Sequence, residues 1–230
     1  MWFAISQRGD INKHGMLIDD IEVNYISYFE QFGINLIVIP NTSKEIELYF
    51  NKLPIKGIIL SGGNDVNPEL YGEKIKKGLS VSIERDKTEQ ELLTIAINKK
   101  LPVLGICKGM QMINVFFKGK LLKDIKKQLD IAIEHVNVNH QIKIVGDKVK
   151  KILGSSINVN SYHRQGITVD ILASDLEPFA IAFDGIIEGF YHKKLPIAGI
   201  QWHPERKSPD EKANAKIIKM FIEQRLYWKL

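Results

Sequence analysis

The sharpest chemistry in this chain belongs to its single cysteine, Cys107, in the run Pro102-Val-Leu-Gly-Ile-Cys107-Lys-Gly-Met-Gln111-Met. An apolar strand passes directly into a nucleophilic side chain and then a helix, which is the arrangement of a nucleophile elbow. The tight turn lifts the thiol at the sheet edge, Gly105 and Gly109 permit close backbone approach, and the helix N-terminus favours a thiolate and offers amides to an oxyanion. A lone cysteine is more often a core residue, and it is the elbow that argues otherwise here. A thiolate that transfers an acyl group needs a base, and the base needs an orienting carboxylate. Of the six histidines, His203 follows the apolar run Ile197–Gln201 and has Glu205 two residues on, a spacing that suits a Cys–His–Glu triad. His163, in Asn-Ser-Tyr-His-Arg-Gln, is the second choice. His14, His135, His140 and His192 read as loop or edge residues. His135 with His140 is too sparse to argue a zinc site, so no metal is expected.

A third signal is Gly57-Ile-Ile-Leu-Ser61-Gly62-Gly63-Asn64-Asp65, a strand ending in adjacent glycines. Such a pair frees backbone N–H groups to point at an anion, and the run lacks the Gly-Lys-Ser/Thr of a phosphate loop. Combined with the elbow it reads as an oxyanion hole of Gly62, Gly63 and Lys108, with the Gly63 and Lys108 amides as leading donors. Acyl transfer by a thiol requires neither metal nor organic cofactor.

These groups have to be positioned by strands and helices. The first 120 residues alternate apolar runs of strand length with stretches of helical period, which argues βαβ units and a parallel sheet. Strands are expected at Trp2–Ser6, Asn35–Ile39, Gly57–Leu60 and Pro102–Ile106. Helices are expected at Ile18–Phe32, closed by Gly33, then from a Thr42/Glu45 capping box through Lys52, and at Glu84–Asn98. Right-handed crossovers place them on both faces of the sheet, with ligands outside the carboxyl ends of the strands. After Gly119 the texture turns to short β-rich segments, expected as antiparallel additions: Gln141–Val145, Ile157–Asn160, Thr168–Leu172, Phe179–Phe183, Ile186–Tyr191 and Ile197–Gln201. A last helix, about Asp210–Arg225, follows Pro209. Asn67–Ser82 and Lys118–Asn139 are expected as long loops that could border a site.

The chain has 230 residues, 44% hydrophobic, 26% charged and 9% aromatic, enough apolar surface to offset the entropy of ordering. Disordered, collagen-like and disulfide-scaffold classes are excluded, and residues 1–230 read as a single domain. No run reaches the ~18 apolar residues of a membrane span, and the start has no basic lead; with one unpaired cysteine, this predicts a cytoplasmic protein. The net charge of +5 comes from 32 Lys and Arg scattered among 27 Asp and Glu, so nucleic acid is not an expected partner and an anionic small substrate fits as well.

Together the three motifs resemble the class I glutamine amidotransferase superfamily, and within it the γ-glutamyl hydrolase (peptidase C26) branch. The similarity runs from about Gly57 to Glu205. Ser61-Gly-Gly-Asn64-Asp-Val-Asn-Pro-Glu-Leu-Tyr71-Gly-Glu73, Glu84-Arg85-Asp86 with Glu89, and Val159-Asn-Ser-Tyr-His163-Arg-Gln165 resemble this branch more than amidotransferase subunits. The resemblance implies an α/β fold, a flavodoxin-like three-layer sandwich with a central mostly parallel sheet and antiparallel additions in the C-terminal half. It implies Cys107 as nucleophile, His203 as acid/base and Glu205 as orienter, acting on a small-molecule γ-glutamyl amide through a glutamyl thioester. Gln111 matches the family glutamine that contacts the glutamyl group. The backbone around Ser161 and Tyr162 would bind the α-amino and α-carboxylate end; His163 and Asn64 are also expected among the substrate-binding residues, and Arg85 either meets the substrate or braces the loop.

Two departures stand out. Lys108 replaces the more usual arginine, and the stretch from Gly119 to Gln141, which shapes the leaving-group side in relatives, is abbreviated. The leaving group stays open between γ-aminobutyrate or another amine and a glutamine-linked nucleotide such as γ-glutamyl-CDP-amidate, of capsule phosphoramidate synthesis. Lys76, Lys77, Arg85 and Lys108 lean toward the anionic choice. Two other classes remain: a glutaminase subunit delivering ammonia to a synthetase, and a non-catalytic binding relative.

Overall fold

The computed structural model describes residues 1–75 and 77–223; Lys76 and Arg225, named above, lie outside them. Eleven strands are described: β1 (Trp2–Ser6), β2 (Arg8–Ile11), β3 (Leu17–Asp20), β4 (Asn35–Ile39), β5 (Ile55–Leu60), β6 (Val103–Ile106), β7 (Val136–Ile144), β8 (Ser156–Tyr162), β9 (Leu176–Ala182), β10 (Ile187–His192) and β11 (Ile197–Ile200). The helices among them are α1 (Val23–Glu30), α2 (Ile46–Lys52), α3 (Ile83–Lys99), α4 (Lys108–Phe116), α5 (Ile125–Gln128), α6 (Asp147–Leu153) and α7 (Glu211–Ile222), with a 3-10 turn at Pro68–Tyr71.

Nine strands form one sheet in the order β4-β1-β5-β6-β11-β10-β9-β7-β8. The first five pair in parallel and the last four antiparallel. Period-two alternation divides each parallel strand between two cores, so both faces must be covered. Phe3, Ile5, Ile59, Leu104 and Ile106 pack with Tyr25 and Phe29 of α1 and Phe221 of α7. Ala4, Ile58, Leu60 and Val103 pack with Leu92 of α3 and Met110 and Ile113 of α4. The result is an α/β three-layer arrangement with antiparallel strands in the C-terminal half.

Five sequence expectations are corrected. Ile197–Gln201, expected as an antiparallel addition, supplies β11, which pairs in parallel with β6 and is antiparallel only to β10. Ile18–Phe32 is not one helix: Leu17–Asp20 pairs with Arg8–Ile11 as a separate hairpin, held by Arg8–Asp20 at 2.7 Å and by Asp19 accepting from the Asn41 backbone and side chain, both at 2.8 Å. Polar side chains that bond elsewhere compete with helix, and only Val23–Glu30 remains helical; Gly33 does close the chain behind it, at φ +71. The Thr42/Glu45 capping box is not formed, because the Glu45 N–H reaches Ser43 Oγ at 3.4 Å and helix starts at Ile46. Thr168–Leu172 is a turn, closed by Ile171 N–H to Thr168 O at 3.2 Å. Finally, Lys118–Asn139 is no plain loop, as it contains α5 and the first residues of β7.

Candidate active site

Strand β6 delivers Cys107 to the sheet edge, and the cysteine then turns at φ +51, ψ −105 into α4. A non-glycine residue at positive φ is costly and marks a position the surroundings over-determine. The surroundings here are tight: a Cβ on Gly109 would lie 2.1 Å from Leu60 O, and one on Gly105 2.6 Å from the Gly109 backbone. These two glycines let α4 sit directly on β5 and β6, which fixes where Sγ emerges.

His203 approaches from the end of β11. Its Nδ1 meets Glu205 Oε1 at 2.6 Å, and its backbone is clamped by Asn160, whose Oδ1 accepts from His203 N at 2.9 Å while Nδ2 donates to His203 O at 2.8 Å. Burial by itself pulls the imidazole down. The charge of the Cys107 sulfur outweighs it, with hydrogen bonds to Cys107 and Glu205, and the imidazole is pushed up to about 10. Tyr162 stacks edge-on against the His203 ring at 5.8 Å, and the Arg206 guanidinium lies 4.8 Å over Tyr162.

The glycine loop lies opposite. The Gly62 N–H is taken by Tyr25 Oη at 2.8 Å, so it is not available to an oxyanion, contrary to the expectation for Gly62. The Gly63 amide, at φ +118, has no acceptor among the described residues, and the Lys108 amide is one of the orphan donors of a helix N-terminus. Both residues line the same cleft as Cys107.

Asn64, expected at the substrate, lines the cleft with Cys107 but spends its amide on the loop, and Arg85, left between substrate and loop, is built into the loop. Arg85 has no exposed surface; it donates to Ser61 O at 2.6 Å, Ser61 Oγ at 3.1 Å and Asn64 Oδ1 at 3.2 Å, and pairs with Glu89 at 3.0 Å. Asn64 also accepts from Gly9 N and donates to Gly9 O and Ser80 Oγ. Lys108 turns its ammonium inward to Asp86 at 2.7 Å and to Glu89. Neither Arg85 nor Lys108 therefore contributes charge to the cleft. Lys123 and Arg164 line it instead, while Lys77 is exposed nearby.

The cleft has a volume of about 360 Å³ and runs past Cys107, Gln111, Tyr162 and Gln165 to Gly78, Lys123 and Arg164. Both long connections thus border it. Gln111 donates to Gln201 Oε1 at 3.2 Å, and Gln201 donates to Cys107 Sγ at 3.5 Å. Gln201, Tyr25 and Asn160 escaped the sequence reading. For Gln201 a signal existed, a polar residue at the end of an apolar strand two residues before the histidine; nothing local marks Tyr25. Ser161 is fully buried, its hydroxyl given to His135 O at 2.8 Å, so only backbone near it is open to a ligand. His163 borders the cleft, with its Nδ1 bonded to Gln165 O at 2.8 Å.

The family model of Peptidase C26 matches residues 5–205. The chain belongs to the Peptidase C26 family. A Schizosaccharomyces pombe protein named for the glutamine amidotransferases is 35% identical over 84% of this chain and 77% of its own length. The gamma-glutamyl-CDP-amidate hydrolase of Campylobacter jejuni is 32% identical over 72% of this chain and 70% of its own. The gamma-glutamyl-gamma-aminobutyrate hydrolase of Escherichia coli O157:H7 is 28% identical over 90% and 87%. Among solved structures, a glutamine amidotransferase of Thermotoga maritima superposes with a TM-score of 0.61 at 16% identity, covering 97% of this chain and 83% of that one, a likeness of fold. Membership of this family, with gamma-glutamyl hydrolases among the relatives, supports a hydrolase. No described helix is long and apolar enough to cross a membrane.

Proposed function

We propose that this protein is a cysteine-dependent γ-glutamyl hydrolase that releases glutamate from a small γ-glutamyl conjugate. The observation that carries the reading is the Cys107–His203–Glu205 array, with the Sγ at the mouth of an elbow, the uncommitted Lys108 amide beside it and that of Gly63 on the facing loop. The Cys107 thiolate attacks the γ-carbonyl carbon, forming the C–S bond as the oxygen takes up the negative charge against the Gly63 and Lys108 amides. Collapse breaks the C–N bond, and the His203 imidazolium gives its proton to the departing nitrogen. Neutral His203 then accepts a proton from water, whose oxygen attacks the thioester; glutamate leaves and the thiolate–imidazolium pair is restored. Glu205 holds the ring through Nδ1, which leaves Nε2 to face the sulfur and the substrate. Gln111, with the backbone of Tyr162 and Gln165, lines the glutamyl side.

An anionic leaving group is the finer reading. The cleft continues into a basin of about 390 Å³ bordered by Lys77, Lys123, Lys127 and Arg164 against Asp124, a surplus of positive charge where the departing group would lie. The test is glutamate release by the purified protein alone from L-glutamine, γ-glutamyl-γ-aminobutyrate and a glutamine-linked cytidine diphosphate, with Cys107→Ala as control. Release from the nucleotide conjugate supports the full reading, and release from the amine conjugate alone overturns the anionic choice. Release only from glutamine, and only with a partner extract added, reassigns the chain to ammonia supply.

A further inference from the structure

Below the floor of the cleft, three histidines converge on one buried carboxylate. His135 Nδ1, His163 Nε2 and His140 Nε2 lie 3.4, 3.4 and 3.6 Å from Glu188 Oε1, and the donor atoms of His135, His140 and Glu188 all fall within 4.8 Å of one another. The sequence made this set improbable. His135 and His140 are five apart, an odd interval that puts residues of a regular strand on opposite faces. The β7–β8 pairing slips between Val136 and Val138, with Asn137 at φ +57, and this bulge returns both rings to one side. His163 comes from just beyond β8 and Glu188 from β10, so three separate segments meet here.

The hydrogen bonds fix which nitrogen of each ring faces inward. His135 Nε2 is 3.0 Å from Asp184 Oδ2, His163 Nδ1 is 2.8 Å from Gln165 O, and His140 Nδ1 is 3.4 Å from Gln141 O. Each of these partners only accepts, so each outer nitrogen carries a proton and the inner nitrogen of each neutral ring presents a lone pair; on His135, against the pull of burial, the Asp184 and Glu188 carboxylates also hold a proton on the inner nitrogen, pushing the ring up to about 9, and a metal ion there would displace it. Ser161 cannot supply a proton to His135, since its hydroxyl is given to His135 O. His140 Nε2, His163 Nε2 and both oxygens of Glu188 are buried without a hydrogen-bond partner. A buried carboxylate faced by these nitrogens needs a cation, which is either the His135 proton or a metal ion in its place.

We propose that His135, His140 and Glu188, whose donor atoms lie within 4.8 Å of one another, bind a divalent metal ion of zinc type, with His163 Nε2 beside them 3.4 Å from the Glu188 oxygen. For ligands at about 2.0–2.2 Å, a tetrahedron has edges of about 3.3–3.6 Å, which is the spacing around Glu188 Oε1. The carboxylate of Asp184 behind His135 is the outer partner that fixes the tautomer of a ligating histidine. A second cavity of about 410 Å³, lined by His135, His163, Glu134 and Ile133, provides an entry path. The site has a structural role: it ties β7, β8 and β10 to the segment Tyr162–Gln165 that forms the cleft wall, and Gln165 O also accepts from Gln111 at 3.4 Å.

The test uses full-length, tag-free Cys107→Ala protein, so that metal at the catalytic thiol does not confuse the count. Elemental analysis after zinc-replete expression should give about one zinc per chain, and competition against a chromophoric chelator gives the affinity. Asp184→Asn should weaken that affinity about 10–100-fold and Glu188→Gln should abolish binding. Protein stripped by chelator should melt lower and recover on adding one equivalent of zinc. A chain that purifies without metal and whose melting is unmoved by zinc overturns the proposal, and leaves the cluster held by a proton shared between His135 and Glu188.

Discussion

Replacing Arg85 by Met separates two roles that a buried arginine beside an active site can have. The guanidinium makes three hydrogen bonds to Ser61 and Asn64 and an ion pair with Glu89, and none of its surface is exposed. Methionine fills much of the volume but supplies no donor, leaving Ser61 O and Asn64 Oδ1 short of a partner and Glu89 with Lys108 and Ser6 alone. Removing one member of a buried, hydrogen-bonded ion cluster costs about 3–5 kcal/mol. At about 2–4 °C per kcal/mol for a chain of this size, the melting temperature should fall by about 6–20 °C. Because Ser61 leads into Gly62 and Gly63, kcat should fall with little change in KM. Arg85→Lys should recover only part of the stability, since an ammonium keeps the charge without the fork. Calorimetry and saturation kinetics on wild type, Arg85→Met and Arg85→Lys decide it. A melting temperature within 2 °C of wild type, with KM raised at least about tenfold, would falsify the bracing role and return Arg85 to the substrate.

Three further outcomes follow from the same geometry. Cys107→Ala removes the charge that holds His203 high, so the imidazole midpoint, followed by NMR, should drop from about 10 toward the ordinary 6.5; an unchanged midpoint would mean that the sulfur is not its partner. With the folded value above the ordinary one, the imidazolium stabilises the fold fully below about pH 6.5 and ceases to as pH climbs through 10. Glu89 runs the other way. Burial raises it, but the Lys108 and Arg85 charges win and hold it below the usual glutamate value, so its contribution is present above about pH 4.5 and lost on further acidification; Glu89→Gln should melt lower than wild type at pH 7 with a gap that closes toward pH 3, and a constant gap refutes the pairing. Gly109→Ala drives a methyl onto Leu60 O, a backbone atom that cannot swing away, and should cost about 1–3 kcal/mol with about a hundredfold loss of turnover from displacing Sγ; wild-type melting and rate would show that the elbow tolerates a shift.

How far the sequence could be read depended on how local each signal was. The elbow is announced within eleven residues, because strand, nucleophile, glycines and helix are contiguous and each is required by the same turn. His203 and Glu205 are two apart, so their pairing at 2.6 Å needs little beyond the end of a strand. The parallel half of the sheet was legible for the same reason: β1, β4, β5 and β6 are apolar on both faces. Where side chains had a choice of partners, the reading failed. Ile18 and Ile21 share a helical period with Tyr25, but Asp19 and Asp20 bond to Asn41 and Arg8, and the hairpin wins. Arg85, Asp86 and Glu89 look like an ordinary solvated helix face; what buries them is the arrival of Lys108 from the start of α4 and Ser61 from the end of β5.

The histidine cluster is the extreme case, and it shows why spacing rules miss some sites. A pattern search assumes that parity along a strand decides which face a side chain takes, and by that rule His135 and His140 can never meet. One residue of bulge, at Asn137, reverses the parity, and two other segments then supply His163, Glu188 and Asp184. No two of these ligand-bearing segments are linked by a motif. The same bulge sets the path of the chain opposite Tyr162, so the geometry that gathers the histidines also shapes the wall of the cleft. A mutation that straightens β7 should therefore disturb both together, which ties metal content and KM to a single backbone feature.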